Sequence, residues 1–408
     1  MEIDKIISKA EEKLKDQFAK IDELTYHNSR KVLNSFHEEN ISEIHFNSST
    51  GYGYNDLGRD AIERVFARVL DAESALVRTQ FISGSHALNV AFFALLRPND
   101  TILSITGVPY DTLHEVIGIK DNASSLKSFG INYEQIDLKD DDFDDEKIIG
   151  ALTKKRYKLV HIQRSRGYSN RKSLTIDKLK RIIAKIKEAS PSTIIMVDNC
   201  YCEMCEYATP TGVGADIMVG SLIKNLGGGI APNGAYIAGK KELVTLCGER
   251  LTLPGEGLEV GPTLGINKDF LRGLYMAPSA VASSLKLSIL ASYILEQKGF
   301  QVSPRYDEPH ADIVLMITFN DRDKLIKFTQ GIQAGSAIDA HAVPEPTKMP
   351  GYDDEIIMAS GSFTQGSSIE ASCDGPLRAP FNAYLQGSLT YEYAKLALEK
   401  ALTYMEES

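Results

Sequence analysis

Near the N-terminus, Ile6, Ile7, Ala10, Leu14, Phe18, Ile21 and Leu24 recur at helical spacing and share one stripe of a 3.6-residue period. The spacing predicts a helical segment over residues 1–46, with one or two helices. A polar loop follows, "HFNSSTGYGYNDLGRD", carrying Gly51, Gly53 and Gly58. Beyond it the period changes. The runs "SALVRTQ", "TILSIT", "KLVHIQ", "STIIMVDN", "ADIMVGS" and "GAYIAG" are apolar with little polar alternation, so they read as strands covered on both faces. "HALNVAFFALL" and "TIDKLKRIIAKIKEA" have helical spacing and separate some of them. Buried strands alternating with helices predict a doubly wound, mainly parallel α/β domain over 47–273. After that the pattern is a long helix, "SAVASSLKLSILASYILEQKG", then "DIVLMITF", "DRDKLIKFTQGIQ", "EIIMASGSF" and a closing helix. This predicts a smaller α+β domain over 274–408. Neither an internal repeat nor a low-complexity tract interrupts the chain.

Composition narrows the classes. The 408 residues are 43% hydrophobic and 25% charged, ordinary for a globular protein with a sizeable core. The formal charge of −10 argues against general binding to nucleic acid or to an anionic membrane, both of which need a basic footprint. "MAPSAVASSLKLSILASYIL" is the most apolar long window, but Ser, Pro and Lys286 interrupt it, so it reads as a buried helix rather than a membrane span. The charged N-terminus has no apolar signal core, and a cytoplasmic location is expected. Three of the five cysteines, Cys200, Cys202 and Cys205, fall in "DNCYCEMCE". A metal site would need paired Cys-x2-Cys units or companion histidines, so these read as reduced, buried thiols.

In open α/β sheets ligands bind beyond the carboxyl ends of the strands. Lys224 stands there, three residues past the strand that ends at Ser221, and is followed by Gly227, Gly228 and Gly229. A lysine beside a glycine-rich turn is commonly a solvated surface residue. The alternative is an amine whose pKa burial lowers, leaving it free to condense with a carbonyl. Asp198 closes a second strand, where an acid is commonly a turn residue. Ser83, Gly84 and Ser85 form a strand-to-helix turn whose amides suit one phosphate. The turn lacks both the G-x-G-x-x-G fingerprint of dinucleotide sites and the G-K-[ST] of a P-loop. Together, an amine, a carboxylate and a monophosphate cradle are the parts of a pyridoxal 5'-phosphate site. His86 or Tyr110 could cover the ring.

"SGSHALNVAFFALLRPND", "MVDNCYCEMCE" and "GSLIKNLGGGIAPNGAYIAG" resemble the fold type I pyridoxal-phosphate enzymes of cysteine and methionine metabolism. "GYGYNDLGRD" and "SFTQGSSIEASCDGPLRAPFNAYLQGSLTYEYAKLAL" are similar to one branch of these, the methionine gamma-lyase-like or aluminium resistance proteins, described as cystathionine beta-lyases. The resemblance runs from about Phe46 to Leu398. It implies an aspartate aminotransferase-like fold, with Lys224 carrying the cofactor and Asp198 pairing with its ring nitrogen. It further implies that Gly84, Ser85, His86 and Ser221 hold the phosphate, and that Tyr110 stacks on the ring. Tyr54 and Arg59 are implied to reach the phosphate from a neighbouring subunit, although they stand five residues apart where the wider family has Tyr-x-Arg. Arg378 is implied to bind the substrate carboxylate. The implied activity is elimination of a thiol from a sulfur amino acid, at Cβ or Cγ, in a homodimer or homotetramer with shared active sites. Aldol cleavage, transamination and a catalytically silent binding protein are the alternatives on this scaffold. Glycines 227–229 are expected to let backbone pass close to cofactor or a partner chain, and "LPGEGLEVGPTLG" to border the site. Nothing in the sequence has the look of a trivalent-metal site.

Overall fold

Strands that are apolar on both faces need helices on both sides, and the chain supplies them. The computed structural model describes residues 2–349 and 352–406. Met1 and Glu407–Ser408, the outermost positions of the first and last expected segments, lie outside the described residues. In chain order the helices are α1 (Glu2–Lys13), α2 (Lys15–Glu38), α3 (Leu57–Val69), α4 (Gly84–Leu95), α5 (His114–Ile117), α6 (Asp145–Lys154), α7 (Ile176–Ala189), α8 (Lys241–Leu251), α9 (Asn267–Gln297), α10 (Arg322–Ala334) and α11 (Tyr391–Glu406). The first sheet comprises β1 (Ser74–Arg78), β2 (Thr101–Ser104), β3 (Asn132–Gln135), β4 (Leu159–Gln163), β5 (Ile194–Asp198), β6 (Ile217–Ser221) and β7 (Ala235–Gly239).

These seven strands lie in the order β1-β7-β6-β5-β4-β2-β3. β3, β2, β4, β5 and β6 run parallel, while β7 is antiparallel to both of its neighbours. Successive residues of a strand point to opposite faces. In β5, Ile195 and Val197 pack with Val65 of α3, Ile182 of α7 and Leu274 of α9, while Met196 packs with Leu88 of α4 and Val244 of α8. The sheet is therefore doubly wound, as the apolar runs predict.

The second sheet has six strands, β8 (Gln301–Ser303), β9 (Val314–Thr318), β10 (Thr347–Lys348), β11 (Glu355–Ser360), β12 (Ser372–Pro376) and β13 (Asn382–Gln386), ordered β10-β11-β12-β13-β9-β8 and antiparallel throughout. Leu290 of α9, Phe328 of α10 and Leu398 of α11 share a core with Leu315, Ile357 and Leu385 of this sheet. Ile7 and Ala10 of α1 enter the same core, so the N-terminal helical segment is packed onto the small domain.

The domain boundary expected at 273/274 falls inside α9, which continues unbroken through Gly273 and Pro278. Both residues read as helix breakers, but Gly273 serves a close approach: a Cβ there would lie 2.5 Å from the Gly227 carbonyl oxygen. Pro278 removes a single backbone donor, which a long packed helix tolerates. By length and composition α9 could cross a membrane, yet 67% of its most apolar window is buried inside the protein, as expected for a core helix.

Candidate active site

β5 and β6 are adjacent and parallel, with Asp198 paired to Val219. Their carboxyl ends therefore present Asp198, Ser221 and, three residues on, Lys224 at one edge. The turn from β1 into α4 reaches the same edge, where the Ser83 side chain accepts a hydrogen bond from the His86 amide at 3.1 Å and caps the helix. The small domain closes the opposite wall with Val314 of β9, Asp374 of β12, and Tyr384 and Gln386 of β13. Between the two walls lies a cavity of about 200 Å³ that contains Lys224.

Lys224 Nζ donates to Ser368 Oγ at 3.2 Å and sits 3.6 Å from the centre of the Tyr201 ring. Tyr201 holds a left-handed backbone, φ +71°, a conformation that costs a non-glycine residue about 1–3 kcal/mol and marks functional sites. Burial pulls the Lys224 pKa down, as the sequence suggests, but Tyr201, Cys200 and Glu203 outweigh it and the net shift is upward. The downward shift expected from burial alone is therefore opposed by the neighbours of Lys224 in the chain by itself. Asp198 accepts the Cys200 amide at 3.1 Å. Burial raises its pKa against that bond and the Lys224 charge. Tyr110 lines the cavity, donates its backbone N–H to Gln163 Oε1 at 2.7 Å, and shares a hydroxyl–hydroxyl bond with Tyr352. Burial and Tyr352 push its phenol well above the ordinary value, so it stays protonated at neutral pH.

Several expected members lie elsewhere. The His86 ring does not line the cavity; it turns back to accept the Ile82 amide at 3.2 Å and packs edge-on against Phe81. Of these two rings, Tyr110 and not His86 lines the cavity that holds Lys224. Arg59 is 2% exposed, and its guanidinium donates to the carbonyls of Gly53 at 2.6 Å, Gly261 at 3.3 Å and Glu259 at 3.3 Å, and to Asp60 at 3.0 Å. Within its own chain this guanidinium fastens its loop to the Glu259–Gly261 segment. Tyr54 is exposed, with its hydroxyl 3.4 Å from Glu256. Arg378 is half-exposed, pairs with Asp354 at 2.9 Å, and lines clefts beyond Tyr168 rather than the Lys224 cavity. The expected carboxylate partner is thus outside the cavity in this conformation. The glycine run packs on its own chain: Gly228 has φ +55°, and a Cβ there would meet the Gly273 carbonyl oxygen at 2.3 Å. The "LPGEGLEVGPTLG" segment contributes no cavity residue and is anchored by Arg59 and Arg78. Cys200, Cys202 and Cys205 are buried free thiols, and among the described residues no group of three or more His, Cys, Asp or Glu could hold a metal.

The groups present fit pyridoxal phosphate. Ser221 Oγ is buried with no hydrogen-bond partner. Gly84 faces it so closely that a Cβ would lie 3.1 Å from Ser221 Cβ and 3.3 Å from Cys200 Sγ. As the first residues of α4, Gly84 and Ser85 have amides with no preceding helical carbonyl to bond, a site for an anion. Asp198, whose burial resists ionisation, would be restored to a carboxylate by a cationic ring nitrogen. Ser83, Gly84, Ser85, Ser221, Asp198 and Lys224 share the one cavity, so they could hold phosphate, ring nitrogen and aldehyde respectively.

Fold and site together define a pyridoxal-phosphate-dependent enzyme of fold type I. The chain belongs to the methionine gamma-lyase family, whose family model matches residues 3–406. It is 45% identical to the protein YnbB of Bacillus subtilis (strain 168) over 94% of this chain and 91% of that one. A solved carbon-sulfur lyase involved in aluminum resistance from Clostridium novyi NT is 49% identical, with a TM-score of 0.95 over 98% of this chain and 95% of that one. A Clostridium acetobutylicum structure, described provisionally as a cystathionine beta-lyase involved in aluminum resistance, is 46% identical, with a TM-score of 0.96 over 99% and 96% of the two chains. By class the protein is a pyridoxal-phosphate-dependent carbon-sulfur lyase.

Sequence reasoning missed four cavity residues of consequence: Tyr168, Tyr201, Asp374 and Tyr384. Tyr168 had a signal, because "KLVHIQ" ends at Gln163 and the chain just beyond it lies at the searched edge. Tyr201 stands three residues past Asp198, between Cys200 and Cys202. Asp374 and Tyr384 come from the other domain and had none.

Proposed function

We propose that the protein eliminates a thiol from the β-carbon of a thioether amino acid, in the manner of a cystathionine beta-lyase. The observation that carries this reading is one cavity holding Lys224, Asp198 and the unpartnered Ser221 hydroxyl. The descriptions of the solved relatives support it. When bound, pyridoxal phosphate supplies a ring that draws electrons from the carbon bearing the amino group. Lys224 Nζ takes the proton from Cα of the substrate. Asp198 keeps a proton on the ring nitrogen. The Tyr110 hydroxyl, held protonated by its surroundings, gives a proton to the departing sulfur. The Cβ–S bond breaks with both electrons leaving on sulfur, and water converts the remaining unsaturated amino acid to a 2-oxo acid and ammonia. The test is to incubate the holoenzyme with cystathionine, cysteine, methionine and homocysteine and to measure pyruvate, 2-oxobutanoate and thiol. Pyruvate and homocysteine from cystathionine are expected. 2-Oxobutanoate and methanethiol from methionine would reassign the enzyme to γ-elimination, and no oxo acid from any of them would overturn the lyase reading.

We also infer a homodimer. Tyr52, Tyr54, Ile82 and Leu264 are exposed large apolar residues. They sit on neighbouring loops joined by the Gly261–Tyr52, Leu264–Ser49 and Gln80–Pro262 hydrogen bonds. Such a patch on the site side of the molecule favours a second copy as its cover. Sedimentation of the holoenzyme should give twice the chain mass, and Tyr52→Asp with Leu264→Asp should shift it toward the monomer. A monomeric unmutated enzyme at micromolar concentration would contradict this.

A further inference from the structure

The wall of the cavity opposite the phosphate turn has a chemistry that thioether elimination alone does not explain. Asp374, on β12, faces the space that Lys224 faces, and its Oδ1 is buried with no hydrogen-bond partner. Four tyrosines surround it. Tyr384 is its cross-strand neighbour on β13. The Tyr168 ring lies 5.1 Å from that of Tyr384, 5.7 Å from that of Tyr352 and 6.0 Å from that of Tyr110. The Tyr168 hydroxyl lies against the Asp374 carboxylate. Among the described residues lining the cavity there is no arginine, no histidine and no lysine besides Lys224.

A carboxylate with a free lone pair, walled by aromatic faces, is complementary to a cation. The same wall offers an anion no counter-charge, so of the two charged groups on the departing half of cystathionine it suits the ammonium and not the carboxylate. We propose that Asp374 and this tyrosine box are a specificity site for an ammonium carried on the leaving group, so that the substrates are thioether amino acids with a distal cationic amine. This deepens the lyase reading and rests on it for the word substrate; the preference for a cation stands on the wall itself.

Burial raises Asp374 to about 6, against the Tyr168 hydroxyl and the Lys224 charge. The groups that face it, Lys224, Tyr110, Tyr168, Tyr352 and Tyr384, are all shifted upward from already high values, so none titrates near 6. An Asp374-dependent preference should therefore be present above pH 6 and fade as the pH falls through that value, where the carboxylate takes a proton.

The test separates binding from turnover. Calorimetry on the holoenzyme compares lysine with norleucine, which has the same carbon skeleton and lacks the ammonium; neither carries a leaving group. Lysine should bind about tenfold more tightly at pH 8, on the scale of a shielded cation–aromatic and ion-pair contact. The ratio should fall to about one in Asp374→Asn, with norleucine unchanged. Where the variant does not fold, the same ratio in unmutated enzyme should fall to about one at pH 5. Equal binding at pH 8, or a preference that persists in Asp374→Asn or at pH 5, overturns the proposal. In parallel, pyruvate release is compared for S-(2-aminoethyl)cysteine and S-propylcysteine, expected to favour the former by a similar factor in kcat/KM. Pyruvate from both at equal kcat/KM leaves the lyase reading standing and overturns the specificity site. A lysine preference with no pyruvate from either of these or from cystathionine leaves the cation site standing and overturns the lyase reading.

Discussion

Lys224→Ala is expected to lower kcat for cystathionine by at least about a thousandfold, and to leave no cofactor covalently attached to the protein. A positioned base typically contributes about 10²–10⁴ in rate, and Lys224 is the amine that lines the cavity. The loss is not one of fold. The Lys224 side chain donates to Ser368 and otherwise meets only Tyr201 closely enough to be held by it. Lys224→Arg should be as inactive as the alanine variant, because a guanidinium keeps the charge but does not give up its proton. The measurement is steady-state kinetics with circular dichroism to confirm folding. A folded Lys224→Ala protein with kcat within tenfold of the parent would contradict the assignment of the base.

Asp198→Asn is expected to retain cofactor but to lower kcat by about 10²–10³, since a neutral amide no longer holds the ring-nitrogen proton. Asparagine can still accept the Cys200 amide, so the end of β5 keeps its turn. The cofactor-free variant gives a second readout. Burial raises the Asp198 pKa in the folded chain. A carboxyl with a raised folded pKa stabilises the fold only in its protonated form, and that contribution is lost as pH rises through the folded value. At pH 7 the neutral amide should therefore leave the Tm of the cofactor-free protein unchanged or higher. A lower Tm, with activity unchanged, would make Asp198 a structural residue rather than the ring partner.

What could be read in the sequence depended on where the information lay. Asp198, Ser221 and Lys224 were legible because each ends or follows a continuous apolar strand, and strand ends in parallel sheets share one edge. The Ser83–Ser85 turn was legible for the same reason. The second wall was not. "SCDGP" contains Asp-Gly-Pro and reads as a turn, yet it is β12, paired on both sides within an antiparallel sheet. Its Asp374 meets Lys224 only through the packing of two domains. β3, "NYEQ", is an edge strand, largely exposed, with no apolar pattern to betray it. The first turn of α3 falls within the expected loop, where Gly58 and Arg59 stand, although Asp56 caps the helix through the Arg59 amide at 2.9 Å. Arg59 and Arg378 show the complementary limit. An arginine at a suggestive position says nothing of where its long side chain goes, and here the backbone carbonyls of Gly53, Glu259 and Gly261 claim one while Asp354 claims the other. The sign of the Lys224 shift was out of reach for a similar reason, since Tyr201, Cys200 and Glu203 decide it.

The central claim is that Lys224 is the residue that carries the cofactor of a carbon-sulfur lyase. The most direct measurement is reduction of the purified holoenzyme with borohydride, followed by peptide mass analysis. The account predicts a phosphopyridoxyl group on the peptide containing Lys224 and on no other lysine, with no such adduct in Lys224→Ala. A phosphopyridoxyl group on a different lysine, or an undiminished adduct in Lys224→Ala, would contradict it.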